Sequence, residues 1–431
     1  MKKSRLTGPL FAALAFLTGN NAYSQDDLLR ALELASNNDP VVREARAQYN
    51  VNHTGWMIGL SGLLPSVSLN GSSSRNTAGP TETFTYSPGY NQHSWGASLN
   101  QSLINFESWY TFQAARDTEK QSLATLAQAE QQLILRVVTA YFDVLRSQNN
   151  LALLRTQEQA AQQVMDQMQQ RYELGFAEIS DVYDTQAAYS SARVNRMDEE
   201  NVLQQRIRAL EIITGGSHQR LESLVDDFPV VSAEPNNIDE WLQRTKNNNP
   251  NIKSAEYLLA ANQDTARAAK SAMLPTLTMS GAYTYNAAYQ NSYGSAQPQE
   301  ANESIRFGLN LTVPLFRGGA SRARMQRAYY TVDANREALD RITRQSETTT
   351  LNSFNSIETA VQTVQARAEN VAIAQNALNA TEVGIEVGTR NAVDLVQAQR
   401  ALFQAQRDYA NARYDYVINM LTLKQSAGVL S

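Results

Sequence analysis

The sequence predicts a mainly α-helical chain that carries a membrane β-barrel, built from a strand–strand/long-helix unit written twice. Three observations predict it. Two proline-free windows are far longer than a globular helix, four short segments alternate apolar and polar residues, and the first half of the chain recurs in the second. Four strands close no barrel, but three copies give twelve, an allowed even number. Trimerisation follows from the need to pair the edges of the sheet.

The N-terminus carries Lys2, Lys3 and Arg5, an apolar stretch from Leu10 to Leu17, and Ala22-Tyr23-Ser24 before Gln25. That is the pattern of a secretory signal peptide over 1–24, with an apolar run too short to span a bilayer. After Leu17 no apolar run approaches the ~20 residues of a membrane helix. An exported chain of this composition reaches a membrane only as a barrel.

The repeat is legible in ordered pairs. Asn38-Asp39-Pro40 recurs as Asn248-Asn249-Pro250, and Leu64-Pro65-Ser66 as Leu274-Pro275-Thr276, both 210 residues on. Gly175 and Asp181 recur as Gly388 and Asp394, and Gly215 as Gly428, 213 residues on. A unit of this length is a duplicated domain, since solenoid repeats run ~20–50 residues. The expected organisation is a first repeat over 25–215, a linker packed on the outside over 216–241, and a second repeat over 242–431. Gly215-Gly216, Pro229 and Pro235 mark the linker.

No proline lies between Pro88 and Pro229 or after Pro314. Within those windows Glu107 to Leu174 and Arg317 to Val387 are rich in Ala, Gln, Leu, Arg and Glu, good helix formers. Each would be ~100 Å long at ~1.5 Å per residue. Such rods need lateral partners, and the spacing supplies a seam. It runs through Leu123, Leu126, Leu133, Val137, Ala140, Val144, Leu151, Leu154, Ala161, Met165, Met168 and Tyr172. In the second half it runs through Ile357, Val364, Val371, Leu378 and Ile385. This is heptad spacing. Ile179 to Ile213 and Ala392 to Leu423 are shorter helical stretches able to fold back after each glycine.

Ser94 to Leu103, Pro275 to Asn286 and Ser304 to Val313 alternate with period two, and Pro65 to Arg75 does so more weakly. Trp95, Ala97, Leu99 and Leu103 form one apolar set; Ile305, Phe307, Leu309, Leu311 and Val313 form another. Each segment has about the ten residues of a tilted membrane strand. The Gly/Pro/Asn/Tyr-rich stretches Asn76 to Gln92 and Ala287 to Asn302 are expected to be loops. Trp95, Tyr283, Tyr285 and Phe307 would supply interfacial aromatic girdles.

Composition excludes several classes. There is no cysteine, so no disulfide, thiolate site or lipid-modified N-terminal cysteine. Three scattered histidines make no metal site, and no Ser/His/Asp spacing or phosphate loop gives catalytic residues. We expect no enzyme activity and no cofactor. A formal charge of −5 without a basic block argues against nucleic acid. An exported trimeric coiled-coil stalk or adhesin is the alternative that the rods alone would favour; the paired alternating segments argue against it.

One set of motifs carries a resemblance over the mature chain. Arg171-Tyr172-Glu173-Leu174-Gly175 precedes Ser180-Asp181-Val182, Val387-Gly388-Thr389-Arg390 precedes Asp394-Leu395-Val396-Gln397-Ala398, and the chain closes on Ala412-Arg413-Tyr414-Asp415-Tyr416. This resembles the TolC family of outer-membrane efflux ducts, in its non-lipidated branch. The resemblance implies a trimeric twelve-stranded barrel in the bacterial outer membrane with an α-helical tunnel in the periplasm. It implies a passive conduit of a tripartite efflux or type I secretion system, with a periplasmic adaptor and an inner-membrane pump as partners and outer-membrane lipid around the barrel. It places the helix turns at Gly175 and Gly388 at the periplasmic entrance, an acidic ring at Asp394, and closing ties at Arg390, Ser180 and Asp181. The second acidic position of that pattern is Gln397 here, and the tyrosine partner of Asp181 is Ile385. The residues alone also permit plain helix-start roles for Asp181 and Asp394, since an acid in the first turn favours the helix dipole.

Overall fold

The structure, a computed structural model, describes residues 22–76, 90–217, 221, 228–292, 295–387, 389–390 and 392–430. The helices α1 (Ala22–Asn38) and α2 (Pro40–Ser61) lead into strands β1 (Ser66–Asn76) and β2 (Tyr90–Ile104). Helix α3 (Phe106–Glu173) follows, then α4 (Ile179–Thr214), α5 (Ile238–Asn248) and α6 (Pro250–Ser271). Strands β3 (Thr276–Ser292) and β4 (Ser295–Thr312) precede α7 (Ala320–Glu386) and α8 (Ala392–Ser426). The expected signal segment lies outside the described residues as far as residue 21, and its last residues open α1.

Capping explains the paired helix starts. Asp39 stands before Pro40, its Oδ1 accepting from the Val42 N–H at 2.9 Å, with Arg136 at 3.1 Å compensating the buried charge. Asn249 stands before Pro250 and accepts from the Asn251 N–H at 2.8 Å. Proline suits the first helical position, where its missing N–H costs nothing.

The chain divides into two compact units that cut across both sequence halves. The first, comprising residues 1–47, 124–253 and 341–431, holds the larger core. Val138, Tyr141, Val144 and Leu145 of α3 meet Ile357 and Val364 of α7, Tyr416 and Val417 of α8, and Trp241 of α5. The seam therefore buries its middle: Leu133, Val137, Val144, Leu151, Ala161 and Met168 are buried, and so are Ile357, Val364 and Leu378. Its ends differ from expectation, because Leu123 and Tyr172 are exposed in the single chain. The linker also departs from its expected outside position. Leu221 and Ala233 are buried in the core, and Trp241 lies inside α5 rather than at a linker end. The Tyr416 hydroxyl donates to the Val231 carbonyl at 2.7 Å and accepts from the Val231 N–H at 3.1 Å. The Trp241 indole N–H donates to the Pro235 carbonyl at 2.8 Å.

The second unit, residues 48–123 and 254–340, contains one antiparallel sheet in the order β1-β2-β3-β4. The expected loop Ala287 to Asn302 is instead strand on both sides of residues 293–294, with Tyr289 opposite Pro298. Pro298 is tolerated because β4 is an edge strand in the chain. Of the other expected loop, 77–89 lie outside the described residues, and Tyr90 to Gln92 are strand. Leu103 is the second correction. Ser102 pairs with Thr278 and Ile104 with Leu277, so Leu103 is the extra residue of a bulge and leaves the apolar set to Ile104.

Candidate functional site

Cross-strand partners share a face, so the register sorts the sheet into two sides. Val67, Leu69, Trp95, Ala97, Leu99, Met279, Tyr283, Tyr285, Ile305, Phe307, Leu309 and Leu311 fall on one side. Ser66, Ser68, Asn70, Ser94, Ser98, Asn100, Thr278, Thr284, Ser304, Arg306 and Asn310 fall on the other. The polar side knits itself together, with Ser68–Ser98 and Ser72–Ser94 hydroxyl contacts at 2.7 Å each. On the apolar side Phe307 is 82% exposed in the single chain. From Leu277 to Leu311 and up to Tyr285 the apolar band covers eight residue steps, ~27 Å along a strand, close to the ~25 Å of a membrane band.

Of the four residues expected to supply an aromatic girdle, three gather: Trp95 is 5.2 Å from Tyr283 and 5.8 Å from Tyr285 between ring centroids. Phe307 sits nearer mid-band, opposite Gly281, where a Cβ would be 3.1 Å from its ring. At the opposite strand ends Ile104, Phe106, Leu315 and Phe316 are exposed, and sequence reading passed over them. Their signal was the apolar residues flanking Pro314 and Asn105 outside any heptad or alternating pattern.

The other candidate site lies in the first unit, at the two helix returns. After α3, Gly175 has φ +79°, its N–H donates to the Tyr172 carbonyl at 2.9 Å, and the Phe176 N–H to the Arg171 carbonyl at 2.7 Å. This is a Schellman cap, and only glycine takes that φ without strain. Across the turn Glu178 and Asp181 form a capping box, with the Glu178 N–H 3.4 Å from Asp181 Oδ2. Ser180 Oγ donates to Glu178 Oε2 at 3.3 Å.

At the second return Gly388 and Asn391 lie outside the described residues. Thr389 and Arg390 donate their N–H groups to the Gly384 carbonyl at 2.8 and 3.1 Å, and the Thr389 hydroxyl adds a bond at 3.1 Å. Arg390 Nη1 is 3.8 Å from Asp394 Oδ2 in the first turn of α8. The structure thus brings Arg390 and Asp394 together. Among the described residues neither Ser180 nor Asp181 bonds Arg390 within the chain. Gln397 is exposed one turn beyond Asp394. Gly384 was missed: a Cβ there would meet Arg390 Cγ at 2.6 Å. Its signal was a lone glycine inside a helical run, which marks a close approach.

Above the first return, Glu158 and Arg155 of α3 meet Arg196 and Glu200 of α4. Arg196 is 2.5 Å from Glu158 and 2.8 Å from Glu200, and Arg155 is 3.2 Å from Glu200. Hydrogen bonds from Arg155, then from Arg196, hold the Glu200 carboxyl below its usual range. A depressed carboxyl stabilises the fold above its unfolded pKa, and the contribution is lost as pH falls through the folded value. We therefore expect the melting temperature gap between wild type and Glu200→Gln to be widest near neutral pH. It should close as pH drops below about 4.5, the ordinary carboxyl value. A gap that does not change with pH would remove the ion pairs as its cause.

Among the described residues no group of three His, Cys, Asp or Glu could hold a metal ion, and no helix is long and apolar enough to cross a membrane. The family model described as outer membrane efflux protein matches residues 31–216 and 241–429. The outer membrane protein TolC of Vibrio cholerae is 30% identical over 425 residues, covering 98% of this chain and 95% of that protein. The alkaline protease secretion protein AprF of Pseudomonas aeruginosa is 24% identical, covering 100% and 90%. Among solved structures, CusC superposes with a TM-score of 0.81 at 15% identity over 96% of this chain and 95% of that one. The Campylobacter jejuni CmeC outer membrane channel superposes with 0.80 at 17% identity over 94% and 86%.

Proposed function

We propose, because this chain belongs to the outer membrane efflux protein family, that three copies close their sheets into a twelve-stranded barrel above a helical tunnel. The protein is an outer-membrane channel of a tripartite efflux or secretion system, a passive conduit from the inner-membrane pump to the exterior. It is a channel protein by kinship, and the duct needs no chemistry of its own. The observation that carries the reading is the sheet with one apolar and one hydroxyl-rich side, attached to helices of 68 and 67 residues. The apolar side faces lipid and the polar side a water-filled lumen. The two sequence halves, 25–215 and 242–431, act as copies of one unit, so three chains present six similar helix returns around one axis.

Those returns form the entrance. Asp394 lines it as a three-carboxylate ring, and Arg390 reaches Ser180 and Asp181 of a neighbouring coiled coil when it closes. A periplasmic adaptor engages the helices and couples the duct to its pump. Cell fractionation and native mass measurement in detergent test the assembly: an outer-membrane trimer is expected, and a detergent-free soluble monomer would sink the proposal. At the entrance, Arg390→Ser should raise single-channel conductance in planar bilayers and antibiotic entry. Unchanged values in both would count against the ties.

A further inference from the structure

The strand register leaves a single charge on the hydroxyl-rich side of the sheet. Among the charged strand residues whose side chains the structure describes, Arg75 and Glu303 hold odd-numbered positions and fall on the apolar side. Arg306 falls on the other. We infer that Arg306 from three copies forms a cationic ring inside the barrel, a binding site for the phosphate or carboxylate groups of anionic cargo. The inference rests on the trimeric barrel proposed above and gives its lumen a selectivity of its own.

The surroundings of Arg306 leave its charge unanswered. Ala282 lies directly opposite it, Ser98 and Ser68 continue the same row, and Ser304 and Gly308 flank it along β4. All five are small and uncharged. Among the described residues no hydrogen bond or ion pair occupies the guanidinium. Its N–H donors form a fork that matches a carboxylate or a phosphate in bidentate geometry.

Height in the sheet adds a second argument. Arg306 stands six residues from the end of β4 at Thr312, between Ile305 and Phe307 of the apolar side. The wall behind it therefore faces hydrocarbon, and a low-dielectric wall concentrates the field of a charge that lines a channel. Spacing adds a third. A barrel of ~12 strands, ~4.8 Å apart and tilted by ~40°, has a wall radius of ~12 Å. An arginine extended toward the axis spans ~6–7 Å from Cα to guanidinium, which leaves the three cations ~9–10 Å apart. That is about one Debye length at physiological salt, so their fields overlap on the axis. Three half-screened charges ~5–6 Å from the axis enrich a monovalent anion there about fivefold and deplete a monovalent cation about as much.

The absence of cysteine lets one introduced thiol report the local potential. Ser98→Cys places it on the same side, two strands from Arg306 in the same row. The measurement compares the rates at which an anionic and a cationic methanethiosulfonate modify this thiol in the full-length protein in outer membranes. Arg306→Ser should lower the anion-to-cation rate ratio at least fivefold, and Arg306→Lys should keep it. Tripolyphosphate should slow the anionic reagent severalfold when Arg306 is present and leave its rate unchanged in Arg306→Ser, which separates a bound anion from a diffuse field. A rate ratio that Arg306→Ser leaves unchanged overturns the ring while the trimer stands. So does tripolyphosphate protection that is absent with the arginine or persists without it. If native mass measurement of the unsubstituted protein finds no trimer, the barrel itself falls and the ring with it.

Discussion

Replacing Phe307 by arginine is expected to prevent stable assembly in the outer membrane. The residue sits at mid-height of the apolar side, opposite Gly281, and points away from the serine-rich face. A cationic side chain at the bilayer midplane of a barrel costs ~2–4 kcal/mol. Three-fold repetition raises that to about 6–12 kcal/mol per trimer, comparable with the whole stability of an ordinary domain. Arg306 is the natural control, a charge one residue away on the opposite face. Asn310→Arg on that same face should assemble normally, because water in the lumen solvates it. Phe307→Leu separates loss of the ring over Gly281 from the cost of charge, and should be much milder. Heat-resistant trimer on unboiled gels is the readout. Normal assembly of Phe307→Arg together with failure of Asn310→Arg would reverse the assignment of faces.

The second large effect is electrostatic. In the proposed ring, three Asp394 carboxylates around one axis would repel at ~4 kcal/mol per pair for a separation of ~4 Å and an effective dielectric of ~20. A multivalent cation relieves that repulsion, so a trivalent hexammine complex should block the closed entrance. Asp394→Ala should abolish the block, and Gln397→Asp, one turn further along α8, should strengthen it by restoring a second ring. The ion pair adds a forecast that a bare carboxylate ring would not. Arg390 stands 3.8 Å from Asp394 and offsets part of its charge, so in channels still in the low-conductance closed state Arg390→Ser should tighten the block. All of these effects should weaken as salt screens the exposed charges. Were Asp394 only a helix-start acid, Asp394→Ala would cost a few tenths to ~1 kcal/mol of stability and leave the block intact. Equal block in all four proteins excludes the ring.

The long helices were legible because their cause is local. Without proline, and with Ala, Leu, Gln, Glu and Arg throughout, nothing within either window stops helix propagation, and α3 and α7 end within three residues of expectation. The core of four strands was legible for the same reason, since alternation of side chains is written in consecutive residues. The upper hairpin was not. Residues Ala287 to Asn302 read as a loop because they are rich in Gly, Pro, Asn and Tyr, yet their backbones continue the β3–β4 ladder. A ladder needs only N–H and C=O groups and a partner at ~4.8 Å, which composition does not encode.

The helix returns divide in the same way. Gly175 could be placed as a cap because glycine tolerates φ +79°. That Asp181 closes a box with Glu178, and that Arg390 turns to Asp394 over a glycine at 384, depended on how the chain bends after each rod. The sequence by itself determined the elements, the duplication and the two-faced strands, because each follows from propensity and spacing among near neighbours. Only the tertiary structure decided the bulge at Leu103, the inward path of Ala233 and the partners of the charges at the helix returns. Those depend on residues far apart in the chain meeting in space, where packing and hydrogen-bond geometry select one pairing among many that local preference allows.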